Sequence, residues 1–183
     1  MMNRSFLLRL VPLLLVVVFG IALYSGLGRN PYELTLVKAQ QPMPVFSLPS
    51  LTEPSKRITE REFYTTEKKL TLLNVWASWC AACRNELPFL QQLAKQEKVS
   101  IYGLNYRDHS QGALHFLNQL GNPFTEVIFD NKGTLALQLG VYGAPESYLI
   151  NSQGEILYRY AGELNDAVWQ TEFLPRIQLA KAP

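Results

Sequence analysis

Apolar residues fall into three kinds of pattern along the chain. From Leu10 to Leu27 they run for eighteen positions without a charge, as LVPLLLVVVFGIALYSGL. At about 1.5 Å per residue such a run just crosses a hydrocarbon core of roughly 30 Å, which predicts a membrane helix. The second pattern is the short, solid run. Leu70 to Ala77 and Val99 to Tyr106 read as buried strands, and Glu126 to Phe129 as a third. Ser147–Asn151 and Glu155–Tyr160 flank Ser152-Gln153-Gly154 as a hairpin. The third pattern has a spacing of three and four. Leu87, Leu90, Leu93 and Ala94 make one helix face, and Ser110 to Leu120 is an amphipathic helix stopped by Gly121-Asn122-Pro123. Leu135 to Leu139 gives one or two helical turns. Asn165 caps a last helix from Asp166 to about Leu179, with Val168, Trp169, Phe173 and Ile177 facing inward.

Between the first run and the strand at Leu70 the pattern is weak. Phe46 to Leu48 reads as a short strand closed by Pro49, and Leu51 to Lys69 as a hairpin or a turn of helix. The order of elements predicts a mixed sheet covered on both faces, an α/β layer sandwich preceded by an N-terminal transmembrane helix. The boundaries are a membrane anchor over residues 1–28, a polar linker over 29–44 ending in Gln40-Gln41-Pro42-Met43-Pro44, and one domain over 45–183. Arg4 and Arg9 precede the apolar run and only Arg29 follows closely, so the N-terminus stays cytoplasmic and the rest is exported. A cleaved signal peptide is the competing reading, and Gly26-Leu27-Gly28 is its one poor cleavage site.

Composition narrows the class. In 183 residues, 48% of them hydrophobic, there is material for one sizeable core. Seventeen Lys and Arg stand against fifteen Asp and Glu. Without Arg4 and Arg9 the remainder is neutral, so nucleic-acid binding has no electrostatic support.

The chemistry lies in the two cysteines, Cys80 and Cys83, at the junction of a buried strand and a helix. A helix N-terminus stabilises an anion, which makes Cys80 the thiolate nucleophile and leaves Cys83, one turn in, to resolve a mixed disulfide. A structural disulfide around so small a loop would constrain little of the unfolded chain. Zinc would need further ligands, and only His109 and His115 are at hand, so no metal site is assigned. A copper(I) metallochaperone using the same thiolates stays open.

Trp76-Ala77-Ser78-Trp79-Cys80-Ala81-Ala82-Cys83-Arg84 resembles the active site of the thioredoxin superfamily, and Gly140-Val141-Tyr142-Gly143-Ala144-Pro145-Glu146-Ser147-Tyr148-Leu149-Ile150 resembles the second signature of its CcmG/DsbE branch, the membrane-anchored thiol:disulfide interchange proteins of cytochrome c maturation. The likeness runs from about Pro42 to Phe173. It implies a thioredoxin-like three-layer sandwich with a central mixed sheet and a cis Ala144-Pro145 bond beside the cysteines; sequence alone favours trans at this bond. It implies a substrate groove at Ala144, Pro145, Glu146 and Tyr142, where the Ala144 backbone pairs with an extended client. Trp79 shields the thiolate, and Trp76 reads as core. Glu86, three residues after Cys83, is a proton acceptor that tunes the pair or an exposed helical acid; Glu146 is a groove residue or a solvated charge. The Cys-Ala-Ala-Cys stretch lacks the proline common in the family, which leaves the direction of electron flow open.

The function this implies is a periplasmic, inner-membrane, single-pass dithiol reductase. Its client would be apocytochrome c or a cytochrome c maturation protein, its electron donor a DsbD-like membrane protein, its state a monomer, and its only redox group the Cys80–Cys83 disulfide, with no cofactor. The alternatives are a general or TlpA-like thiol reductase and the copper(I) metallochaperone. What the segment between Cys83 and Pro145 does, beyond exceeding a minimal thioredoxin, is not legible in the pattern.

Overall fold

The computed structural model describes residues 12, 14–21, 41–64, 70–96 and 99–181. Two compact units divide the chain, Met1–Thr35 and Leu36–Pro183. Most of the predicted span at Leu10–Leu27, and the linker up to residue 40, lie outside the described residues. Residues 14–21 are helical, and Leu14, Val16, Phe19 and Ile21 are exposed. Among the described residues no helix is long and apolar enough to cross a membrane.

The second unit is built on a six-stranded sheet in the order β1-β8-β7-β4-β5-β6. Its strands are β1 (Gln41–Pro42), β4 (Thr71–Trp76), β5 (Ser100–Tyr106), β6 (Glu126–Asp130), β7 (Glu146–Ile150) and β8 (Glu155–Ala161). β4, β5 and β6 run parallel, whereas β7 is antiparallel to both β4 and β8. A separate hairpin pairs β2 (Ser47–Pro49) with β3 (Arg57–Thr59), followed by a 3-10 turn at Glu60–Phe63. The helices are α1 (Ala81–Lys95), α2 (Ser110–Leu120) and α3 (Thr134–Gln138). The C-terminal segment comprises α4 (Asp166–Val168), a π turn at Trp169–Phe173 and α5 (Leu174–Lys181). This is the mixed sheet, layered on both faces, that the sequence implied.

All six residues of β4 are buried, so the strand is covered on both sides and its alternation assigns the layers. Leu72 and Trp76 join Leu87, Leu90, Leu93, Phe116, Trp169, Phe173 and Ile177 in one core, beneath α1, α2 and the C-terminal helices. Leu73 and Val75 join Ile58, Phe63, Leu104, Leu135 and Tyr148 in the other, beneath α3 and the β2–β3 hairpin. Asn74 shares the alternation of Leu72 and Trp76 and therefore faces α1.

Two boundaries differ from the sequence reading. The linker predicted to reach residue 44 ends earlier: Gln41 and Pro42 pair with Ile156 and Glu155, and the buried Met43 donates its amide to the Gly154 carbonyl at 2.8 Å. A two-residue strand shows no period, and Pro42 is tolerated because the strand lies on an edge. The last helix is not uniformly α. Its π turn ends two residues before Pro175, whose ring removes the donor to the Thr171 carbonyl and crowds that carbonyl.

Gly103 in β5 serves a close approach. A Cβ there would sit 2.8 Å from Trp76 Nε1 and 3.0 Å from the Phe124 ring, and Trp76 is stacked between Phe116 and Phe124. Gly103→Ala is expected to lower stability by about 1–3 kcal/mol through overpacking, read as a shifted denaturation midpoint at unchanged slope.

Candidate active site: a dithiol pair at a helix N-terminus

β4 ends at Trp76, a turn closes with the Cys80 amide donating to the Ala77 carbonyl at 3.2 Å, and α1 begins at Ala81. Cys80 is therefore the N-cap of α1. Its Sγ accepts the Cys83 amide at 3.1 Å, so one of the unpaired N–H groups of the first turn points at this sulfur. Cys80 and Cys83 are joined as a disulfide. Cys83, nearly fully buried, lies on the inner side of the helix, and Trp79, 57% exposed, stands beside the pair.

The Ala144-Pro145 bond is cis, as the resemblance implied. The Ala144 carbonyl lies 3.4 Å from Cys80 Sγ. Ala144 is half-buried, Pro145 buried and Tyr142 exposed. The structure thus brings Cys80, Cys83, Ala144 and Pro145 to one place, with exposed aromatic rings at Trp79 and Tyr142.

Glu146 departs from both sequence readings. It is 2% exposed, neither a solvated charge nor a groove surface. It lies under the Tyr142–Pro145 loop, where Oε1 accepts the amides of Tyr142 at 2.8 Å and Gly143 at 3.3 Å. Oε2 accepts the Tyr148 hydroxyl at 3.0 Å and Arg159 Nε at 2.9 Å; Arg159 Nη2 is 2.8 Å from the same oxygen but poorly aligned with it. The Arg159 guanidinium in turn packs over the rings of Tyr142 and Tyr148. Burial and the neighbouring Glu146 charge push the Tyr148 hydroxyl well above its ordinary pKa, so it stays a donor.

Glu86 is 1% exposed, which removes the solvated alternative. It sits one turn below Cys83 on α1. Oε1 accepts Asn74 Nδ2 at 2.9 Å and Oε2 accepts the Leu164 amide at 2.8 Å. Asn74 also donates to Ser147 Oγ at 3.2 Å, across the β4–β7 register in which the two residues are directly opposite. Burial pushes the Glu86 carboxyl up from 4.5 to about 7, while its two donors pull the other way. This is the range in which a carboxyl exchanges protons near neutral pH.

The sign of the linked stability follows. Folding favours the neutral form, so the contribution is complete below about pH 4.5, declines as the unfolded chain ionises, and is gone above about pH 7. A shift of this size corresponds to about 3 kcal/mol. Between about pH 5 and pH 8 the oxidised wild type is expected to lose most of that amount in urea denaturation, and Glu86→Gln to show a flatter profile. An identical slope in the variant would remove Glu86 from the titration.

Sequence reasoning missed Asn74, Ser147 and Arg159. Asn74 alone carried a signal: it is the one amide inside a strand otherwise made of apolar residues and threonine. Nothing in the alternation of β8 marks Arg159.

A disulfide capping a helix beside a cis-proline loop, on a sheet of this topology, defines a thioredoxin-like thiol:disulfide oxidoreductase. The redoxin family pattern matches residues 38–172. The thiol:disulfide interchange protein DsbE of Pseudomonas aeruginosa is 42% identical over 177 residues, covering 97% of this chain and 95% of that protein. DsbE of Yersinia pestis is 48% identical over 164 residues, covering 89% and 86%. A crystal structure from Chlorobium tepidum, named as a thiol:disulfide interchange protein DsbE, superposes with a TM-score of 0.63 at 28% identity over 79% of this chain and 98% of that one. The chain belongs to the DsbE thiol:disulfide interchange proteins within the redoxin family.

Proposed function

We propose that this oxidoreductase works as a reductant of apocytochrome c, or of a maturation protein that holds it, on the periplasmic side of the inner membrane. The observation that carries the reading is the disulfide-forming Cys80 held at the α1 N-terminus within 3.4 Å of the Ala144 carbonyl, in a chain whose relatives are DsbE proteins. An extended client chain pairs with the Ala144 backbone and brings its disulfide to Cys80. The Cys80 thiolate attacks one client sulfur, forming a mixed disulfide and releasing the other client sulfur as a thiolate. Cys83 gives its proton to Glu86 and attacks Cys80 Sγ, which re-forms the Cys80–Cys83 disulfide and expels the second client thiolate. Two electrons pass to the client, and a DsbD-like membrane donor returns two to the protein.

Haem attachment requires free thiols in the client, and an oxidising compartment removes them, so the reaction has a standing need for such a reductant. The uncharged Leu10–Leu27 run with Arg4 and Arg9 before it supports a single-pass anchor with a cytoplasmic N-terminus, and the exposed apolar side chains of residues 14–21 agree with a lipid-facing helix. The protein works as a monomer that meets donor and client in turn.

The test is a trap. Cys83→Ala leaves the mixed disulfide on Cys80 unresolved, and mass spectrometry of the adducts in native membranes identifies the partner. Apocytochrome c or its maturation proteins are the expected captures. A broad set of exported proteins would make this a general thiol reductase, and an absence of adducts together with stoichiometric copper(I) binding would make it a metallochaperone.

A further inference from the structure

The two residues before Cys80 are tied to a single loop, Arg107–His109, between β5 and α2. The Ser78 amide donates to Asp108 Oδ2 at 2.6 Å and the Ser78 hydroxyl to Oδ1 at 2.8 Å. One residue on, the Trp79 indole Nε1 donates to the Arg107 carbonyl at 3.1 Å. The carboxylate is held from behind by Asn105 Nδ2 at 3.0 Å and by the His109 amide at 2.7 Å. Asp108 is 7% exposed, and these four donors replace the water it has lost.

The backbone around the loop is arranged for this contact. Arg107 has φ 46°, in the left-handed region that non-glycine residues seldom occupy, and its carbonyl is the one that meets the indole. In α2, Gly112 makes room: a Cβ there would lie 3.1 Å from Ser78 Oγ. Trp79 is more than half exposed, yet the only polar atom of its side chain is engaged, so its ring is held in one orientation beside the disulfide.

We propose that Asp108 is a positioning residue which, with the Arg107 carbonyl, clamps the Ser78-Trp79 turn and fixes the Trp79 ring against the polypeptide flanking a client disulfide. The β5–α2 loop thereby selects which disulfides Cys80 attacks, a role in the segment whose purpose the sequence did not show. Asp108 touches neither sulfur. Cys80 keeps its own anchors, the Ala77 carbonyl and the Cys83 amide, so loss of the clamp falls on Trp79 rather than on the nucleophile. A small disulfide meets little beyond the sulfur, whereas an extended chain must lie against the ring and the Ala144 backbone together. The inference rests on Cys80 being the attacking sulfur of a thiol:disulfide oxidoreductase.

The test uses the reduced full chain with Asp108→Asn and Ser78→Ala. Two quantities are read: solvent exchange of the Trp79 indole N–H by NMR, assigned with Trp79→Phe, and the rates of attack on glutathione disulfide and on a disulfide-cyclised Cys-x-x-Cys-His peptide. Asp108→Asn is expected to speed indole exchange about fivefold and slow the peptide reaction about tenfold, with the glutathione rate within about twofold of wild type. Ser78→Ala keeps the backbone bond, falls between, and carries the test alone if Asp108→Asn does not fold. An unchanged Trp79 indole, or peptide and glutathione rates that fall in equal proportion, overturns the clamp. A wild type that reduces glutathione disulfide but not the peptide defeats the client proposed above, and the indole exchange then decides the clamp by itself.

Discussion

Cys80→Ser lowers disulfide exchange by about 10³-fold or more, to the rate of the uncatalysed reaction, whereas Cys83→Ser leaves the first attack intact and stalls after one turnover. The asymmetry follows from position. Cys80 Sγ receives the Cys83 amide at the helix N-terminus and lies beside the Ala144 carbonyl, where an incoming chain would align. Cys83 is 2% exposed against 6% for Cys80 and lies one turn above Glu86 on the inner side of α1. Rapid mixing with excess disulfide should show a stoichiometric burst for Cys83→Ser and none for Cys80→Ser. A burst from Cys80→Ser instead would reverse the roles of the two sulfurs.

Glu146→Ala is expected to cost about 3–5 kcal/mol, because it strands the Arg159 guanidinium in a site where that side chain is 9% exposed. The same change removes the acceptor of the Tyr142 and Gly143 amides and of the Tyr148 hydroxyl. For a domain of this size the melting temperature should fall by roughly 10–15 °C. Substituting Arg159→Met in the same chain removes the stranded charge, and the double variant is expected to recover more than half of the loss. Independent, additive effects in that cycle would mean the pair is not coupled. Peptide exchange should fall further than the stability loss explains, because the loop that carries Ala144 loses its floor.

The reactive pair was legible because its chemistry depends on adjacency in the chain: two cysteines three positions apart, after an apolar strand and before a helical repeat, leave few alternatives. The sheet was legible for a similar reason, since β4, β5 and β6 are buried on both faces and read as solid runs. The supports of the site were not. Glu86 could be placed on the face of Cys83 by helical spacing, but its burial depends on Asn74 and Leu164, which meet it from a strand and a loop far away in sequence. Glu146 could be read only as a groove residue or a solvated charge, because its partner Arg159 comes from the neighbouring strand and no local pattern marks it. The clamp at Asp108 joins residues thirty positions apart through one carboxylate. Each of these is a long-range polar contact, and periodicity reports only which side of an element faces the core.

The short strand β1 also bears on self-association through the edge of the sheet. It covers the first two residues of β8, Glu155 and Ile156, on a sheet edge that would otherwise present their backbone groups for β-pairing by another molecule. Pro42 offers no amide of its own to a further strand, and beyond it the Met43 amide donates to the Gly154 carbonyl. A catalytic domain cut after Pro44 would keep its disulfide while losing Met43 from the core and opening that edge, and self-association rather than lost chemistry would be its failure.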